Sequence, residues 1–181
     1  MGKQIKFDFA KGGSFIVDLY EDKAPETCKI IWDMLEEPWS EKFIHTGCCG
    51  WMVETPYFPV PEDYVLPNEN LIFAPQEGEV AVVSPAEWRE NSIKGYLPLF
   101  IAHNGACSPL THLMGIKLSE EPDNGEHFSW IFHKNMWETC RANVFGRVTE
   151  HDRFYASQMM GRIRWYGIEG FTVSRVTKDT I

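Results

Sequence analysis

The sequence predicts a mainly β protein, a barrel or sandwich whose ends are plugged by two helices. Three observations carry that expectation. The N-terminal forty-odd residues alternate apolar and polar side chains with the period of a strand and then switch to helical spacing. A second helical stretch lies near the C-terminus. The order strand–strand–helix–many strands–helix–strand lacks the βαβ repeat of a parallel sheet.

The elements follow in order. "KQIKFDFAKGGSFIVDLYED" reads as a hairpin: Ile5, Phe7 and Phe9 alternate, "KGG" turns the chain, and Phe15, Val17 and Leu19 alternate again. "KAPETCKIIWDMLEE" places Ile30, Ile31, Met34 and Leu35 at helical intervals, with Pro25 and Glu26 suited to a first turn and Pro38 as the stop. "EKFIHTGCCGWMVETP" reads as a strand carrying Phe43, Ile44, Trp51, Met52 and Val53, interrupted at "GCCG", with Glu54 at its end where a barrel rim would open to solvent. The next segment, from Glu54 to Glu79, holds five prolines and no period, and is expected to be a loop wrapped over the body. "EVAVVSP", "YLPLFIAHNG" and "ANVFGRV" are β-type. Residues 105–141 are irregular and rich in His, Trp and Phe. "DRFYASQMMGRIRWYG" is a helix with Phe154, Ser157, Met160 and Gly161 on its inner face, and "GFTVSRV" is the closing strand.

At 181 residues the chain is expected to form one domain, 1–181, with a full core. Its net charge of −9 argues against nucleic acid, which requires a basic face. No apolar run reaches the roughly 18 residues of a membrane span, and the polar, alternating N-terminus is unlike a signal peptide. No membrane partner and a cytoplasmic location are therefore expected. The five cysteines include no C-x-x-C pair and are read as free thiols, small buried hydrophobes in a reducing compartment.

Candidate chemistry is sparse. Cys48 and Cys49 are neighbours, so on a strand they point to opposite faces and cannot clamp one metal. His45 and Cys49 share a face but sit about 13 Å apart on an ideal strand, too far for direct proton transfer. His103, His112, His127 and His133 are spaced by 9, 15 and 6, which matches no metal motif, so no metal is expected. Phosphate-binding glycine loops and a G-x-S-x-G elbow are absent. An arginine of "RIRWYG" could hold a carboxylate as a fork.

Several stretches together resemble the cyclophilins. "FIVDLYEDKAPETCKIIWDML" resembles their opening strand and helix, "GEVAVVSP" and "LPLFIAHNG" their pocket strands, and "NVFGRVTEHDRFYASQM" their "VVFGKV" strand and following helix. Trp137 stands nine residues before Gly146, the spacing of a cyclophilin pocket tryptophan. The resemblance implies a cyclophilin-like closed β-barrel with two helices capping its ends. It is closer to bacterial cyclophilin-like proteins, including the cucumopine synthase type, than to prolyl isomerases. The isomerase arginine is missing: His45 stands roughly in its place, and no arginine lies between Lys42 and Trp88.

On that resemblance the expected function is a cofactor-independent enzyme using acid–base chemistry on a small molecule. An opine-type Pictet–Spengler condensation of an amino acid such as histidine with a 2-keto acid fits it. His103, Glu54 and His45 are the candidates for moving protons. Trp51, Tyr57, Phe100, Asn104 and Trp137 are the candidates for holding substrate. A non-catalytic binding module is the alternative, and a homo-oligomer is left open.

Overall fold

A computed structural model describes residues 2–45, 52–72, 75–83, 95–102 and 142–177. In chain order these form β1 (Gln4–Phe9), β2 (Ser14–Leu19), α1 (Pro25–Met34), β3 (Trp39–His45), β4 (Met52–Pro59), β5 (Leu71–Ile72), β6 (Glu79–Val83), β7 (Tyr96–Ala102), β8 (Ala142–Val148), α2 (Arg153–Tyr166) and β9 (Ile168–Arg175). The strands run β2-β1-β9-β3-β4-β7-β6-β8, and β2 pairs back onto β8. That pairing closes an eight-stranded antiparallel barrel and decides against an open sandwich. β5 occupies the other end of the β8 edge, opposite Ala142 and Asn143.

Alternation sets the interior. Ile5, Phe7 and Phe9 of β1 meet Val17 and Phe15 of β2 on one side and Val173 and Phe171 of β9 on the other. The "KGG" turn is closed by the Phe9 N–H donating to the Gly13 carbonyl (3.0 Å), with Gly12 and Gly13 at φ +89° and +94°, which only glycine adopts without strain. The centre is aromatic: Phe43 stacks on Phe171 with centroids 3.9 Å apart, and Trp39 meets Phe58 and Phe171 edge-on. The abundance of Phe is thus explained largely by a core, since Phe7, Phe9, Phe15, Phe43, Phe58, Phe145 and Phe171 are all buried.

Both helices pack against this core. From α1 come Cys28 and Ile31, followed by Leu35; from α2 come Ala156, Met159, Met160 and Ile163. The α2 stripe differs from the sequence expectation: Phe154 is exposed, and a Cβ added at Gly161 would meet nothing within 4 Å. Positions 156, 159, 160 and 163 form the apolar row that includes small Ala156, which lets the helix approach closely. Helix α1 also ends earlier than Pro38 requires, where the Leu35 N–H turns back to the Trp32 carbonyl (3.1 Å).

Two further expectations are corrected. The stretch 41–56 is not one strand but parts of two antiparallel neighbours, with His45 opposite Val53 and Ile44 opposite Glu54. The proline-rich loop begins only after Pro59, because β4 runs through Glu54 and both Pro56 and Pro59. Prolines are tolerated there since, among the described residues, β4 pairs with β3 at Val53 and Glu54 alone, and its ladder with β7 is bulged between Thr55 and Phe58.

The strap that follows is tied down by Glu69. Its carboxylate accepts from the Glu26 N–H (3.1 Å), the Thr27 N–H (2.9 Å) and the Thr27 hydroxyl (2.9 Å) at the start of α1. Ala24 at the N-cap has no side chain able to do this. Glu69 therefore caps the helix from a distance, and its negative charge suits the dipole. Glu69→Ala is expected to lower stability by about 1–2 kcal/mol in urea unfolding, the cost of a lost cap.

Candidate functional site

The outer wall of the barrel, not its filled interior, offers a site. Along β4, β6 and β7 the inward residues Val53, Leu99, Ile101, Val80 and Val82 join the main core. Their neighbours therefore face outward. Register aligns these into a continuous row: Ile44 of β3, Glu54 of β4, Phe100 of β7, Ala81 of β6 and Val144 of β8. Phe100 packs on a second, small cluster of Ala81, Ala142 and Val144, joined by Tyr20 and Ile72. Glu54 is half-buried beside it. A carboxylate is thus seated directly across from an aromatic ring on an apolar platform.

A charged group flanks the platform. Arg147 of β8 lies opposite Glu79 on one side and Asp18 on the other. Its Nε donates to the Glu77 carbonyl (3.3 Å), and Glu79, which is buried, accepts from the Gln76 N–H (2.6 Å). The phenol of Tyr20 is pushed above its ordinary pKa, first by burial and then by the charge of Glu79, with Arg147 opposing through charge and a hydrogen bond. Tyr20 is consequently a neutral hydroxyl at physiological pH, able to donate a hydrogen bond but not to act as a base.

The residues singled out from sequence fall into three groups. Glu54 and Phe100 are brought together as cross-strand partners. Glu54 is not at a strand end as expected but is the third residue of β4, because the strand starts at Met52. His45 ends β3 across from Val53, so alternation sets it on the opposite face of the pleat from Glu54. Tyr57 lies in β4 at the bulge. Trp51, His103, Asn104 and Trp137 lie outside the described residues, as do Cys48, Cys49, Cys107, Cys140, His112, His127 and His133. Trp51 and His103 adjoin Met52 and Ala102, which are themselves register partners.

Two other candidates are accounted for structurally. Arg162 forks onto Glu169, donating from Nε (2.7 Å) and Nη2, so its carboxylate partner is internal. Cys28 is buried, donates to the Phe145 carbonyl (3.2 Å), and has its thiol pushed up to about 12 chiefly by burial, which leaves no thiolate for nucleophilic work near neutrality. Among the described residues no group of three His, Cys, Asp or Glu side chains could hold a metal ion. No helix among them is long and apolar enough to cross a membrane.

Tyr20, Glu79 and Arg147 were missed from sequence. Their one signal was the "VFGRV" stretch that carries Arg147, and only strand register reveals its acidic neighbours.

No curated protein sequence matches the chain. A solved structure described as McbB in complex with tryptophan superposes with a TM-score of 0.58 at 15% identity, covering 96% of this chain and 46% of that one. The chain thus spans less than half the length of McbB. A hypothetical protein from Archaeoglobus fulgidus, solved in solution, aligns with a TM-score of 0.48 at 19% identity, over 97% of this chain and 95% of that one. The fold is a cyclophilin-like closed barrel with two helices. The family described as "Protein of unknown function (DUF3830)" matches residues 9–115, more than half of the sequence, and the chain belongs to that family.

Proposed function

We propose that the outer platform binds a small amino acid or amine bearing a flat ring and that Glu54 serves there as a general base. The observation that carries this reading is the direct cross-strand pairing of Glu54 with Phe100 on an otherwise apolar row. An aromatic wall selects a flat, partly apolar ring, and a half-buried carboxylate beside it can hold an ammonium or accept a proton. The shared fold of McbB, solved with tryptophan, supports a ligand of this class.

The reaction that fits is a cofactor-independent condensation of the opine or Pictet–Spengler type. An amine and a 2-keto acid join as an imine with loss of water. A ring carbon of the amine then attacks the imine carbon, forming the carbon–carbon bond as the imine nitrogen takes up a proton. The ring carbon finally gives up its proton to a base and the ring regains aromaticity. No oxidant or reductant is consumed. Glu54 is assigned that last proton, with His103 as a further proton carrier, whereas His45, on the other face of the pleat, is given no step at this platform. Trp51, Tyr57, Asn104 and Trp137 complete the proposed substrate contacts. Arg147 is the arginine that register brings to the platform's flank, where it can meet a substrate carboxylate.

A screen of histidine, tryptophan and aromatic amines with 2-keto acids, followed by mass detection of the dehydrated product, tests the reading. Glu54→Gln is expected to cut turnover about a hundredfold or more, the usual contribution of a general base, while leaving ligand-induced thermal stabilisation in place. Binding without any product in the wild-type chain would make the protein a binding module. Unchanged turnover in Glu54→Gln would remove Glu54 from the chemistry.

A further inference from the structure

Tyr20 is held where two cations meet the apolar platform. Its N–H donates to the Phe145 carbonyl (2.8 Å), which docks the end of β2 against β8. Its ring packs on Ala81, Ala142 and Val144, the same small patch that carries Phe100. Arg147 approaches the phenol from β8, and the Tyr20 oxygen accepts a hydrogen bond from it. Lys23 comes from the turn that follows, its N–H bonded to the Tyr20 carbonyl (3.0 Å) and its ammonium 4.4 Å from the centre of the Tyr20 ring. No carboxylate among the described residues forms an ion pair with either cation. The nearby acids have other partners: Asp18 accepts from the Gln4 amide (2.7 Å), Glu79 from the Gln76 N–H (2.6 Å), and Glu21 pairs with Lys3 (3.0 Å). Because the Tyr20 oxygen accepts from Arg147, its own proton is left to give, and no acceptor among the described residues takes it.

We propose that Tyr20, Arg147 and Lys23 form a carboxylate subsite beyond Phe100, and that the platform's ligand is a ring-bearing amino acid in preference to the amine that lacks its carboxylate. The inference rests on the platform reading above and deepens it. Order along the wall supports it. Strands β4, β7, β6, β8 and β2 are successive neighbours, so Glu54 lies at one end of the platform and Tyr20 at the other, with Phe100 between. A ring stacked on Phe100 then has Glu54 to one side and Tyr20 to the other, and a carboxylate on the ring's side chain can point to Tyr20. There the guanidinium and the ammonium supply charge, and the phenol supplies a directed donor. Hydrogen bonds to an ionised group are stronger than those between neutral groups, so the phenol proton finds its best acceptor in a carboxylate. An amine without that carboxylate would bring only its ammonium to two cations.

Calorimetric titration of the full chain with tryptophan, tryptamine and pyruvate tests the subsite. Tryptophan is expected to bind about tenfold or more tightly than tryptamine, the worth of one hydrogen bond to a charged group. Tyr20→Phe keeps the ring and its packing. It is expected to remove most of that preference, weakening tryptophan about tenfold with tryptamine unchanged. Lys23→Gln, on an exposed side chain, is expected to lower tryptophan affinity severalfold. A merely structural Tyr20 would shift both ring compounds alike, which overturns the proposal, as does equal affinity for the two in the wild type. Pyruvate bound alone, and lost in Tyr20→Phe, would hand the subsite to the keto acid's carboxylate and overturn the amino-acid assignment. Binding of neither ring compound would instead fail the platform reading, and this inference would fall with it.

Discussion

Gly146→Ala is expected to destabilise the fold by about 3 kcal/mol, at the upper end of what overpacking costs. A Cβ at this position would lie 2.8 Å from the carbonyl oxygen of Asp18 and 2.8 Å from Cγ1 of Val17. The obstacle is the β2 backbone, which cannot rotate aside as a side chain can. β2 and β8 are joined by three register pairs, Val17–Val148, Asp18–Arg147 and Leu19–Gly146. This seam is the one that closes the barrel, so a shift there frees both flanking edges. Arg147, the neighbour of Gly146, also faces Asp18 across the seam, and the platform's charged flank would move with it. Chemical denaturation would read the loss as a lower midpoint, and a midpoint within error of the wild type would show that β2 can yield.

Arg162→Met is expected to cost about 3–5 kcal/mol, the penalty for stranding a buried charge. The side chain of Glu169 is 1% exposed and receives Arg162 together with the Lys11 N–H (3.1 Å). Arg162 also donates to the Gly12 carbonyl (2.8 Å), so the pair ties α2 to β9 and to the turn between β1 and β2. Removing the arginine leaves a carboxylate with one neutral donor in a dry setting. The double variant Arg162→Met with Glu169→Leu is expected to recover most of the loss, because two apolar groups need no partners. Equal destabilisation in the single and double variants would instead assign the cost to lost hydrogen bonds at the turn.

Much of the barrel was legible because its strands alternate cleanly. Ile5, Phe7, Phe9, Phe15, Val17 and Leu19 declare an inward face that the structure keeps. Where the chain departed from the reading, a local rule was overridden. Pro56 and Pro59 argued for a loop at 54–59, but a bulge and a short partner leave the missing N–H groups without consequence. In α2, aromatic Phe154 outweighed Ala156 as a sign of burial, although the smaller residue faces the core. The site was legible by parts only. Glu54 stood out as a carboxylate at the end of a plausible strand and Phe100 as an aromatic within another, but their pairing depends on register between β4 and β7, and more than forty residues separate them in sequence. Tyr20 and Arg147 carried no local signal of their shared flank for the same reason.

A ring-bearing ligand on the outer wall across from Glu54 would perturb a defined set of backbone amides. Amide shifts of the isotopically labelled chain, followed during titration with tryptophan or histidine, read that set out. Saturable shifts are expected at Ile44, Glu54, Phe100 and Ala81, with Phe7, Phe15 and Val173 of the interior unmoved and the response lost in Phe100→Ala. Shifts confined to α2 or to the interior, or none with any ring-bearing amine, would contradict this placement of the ligand.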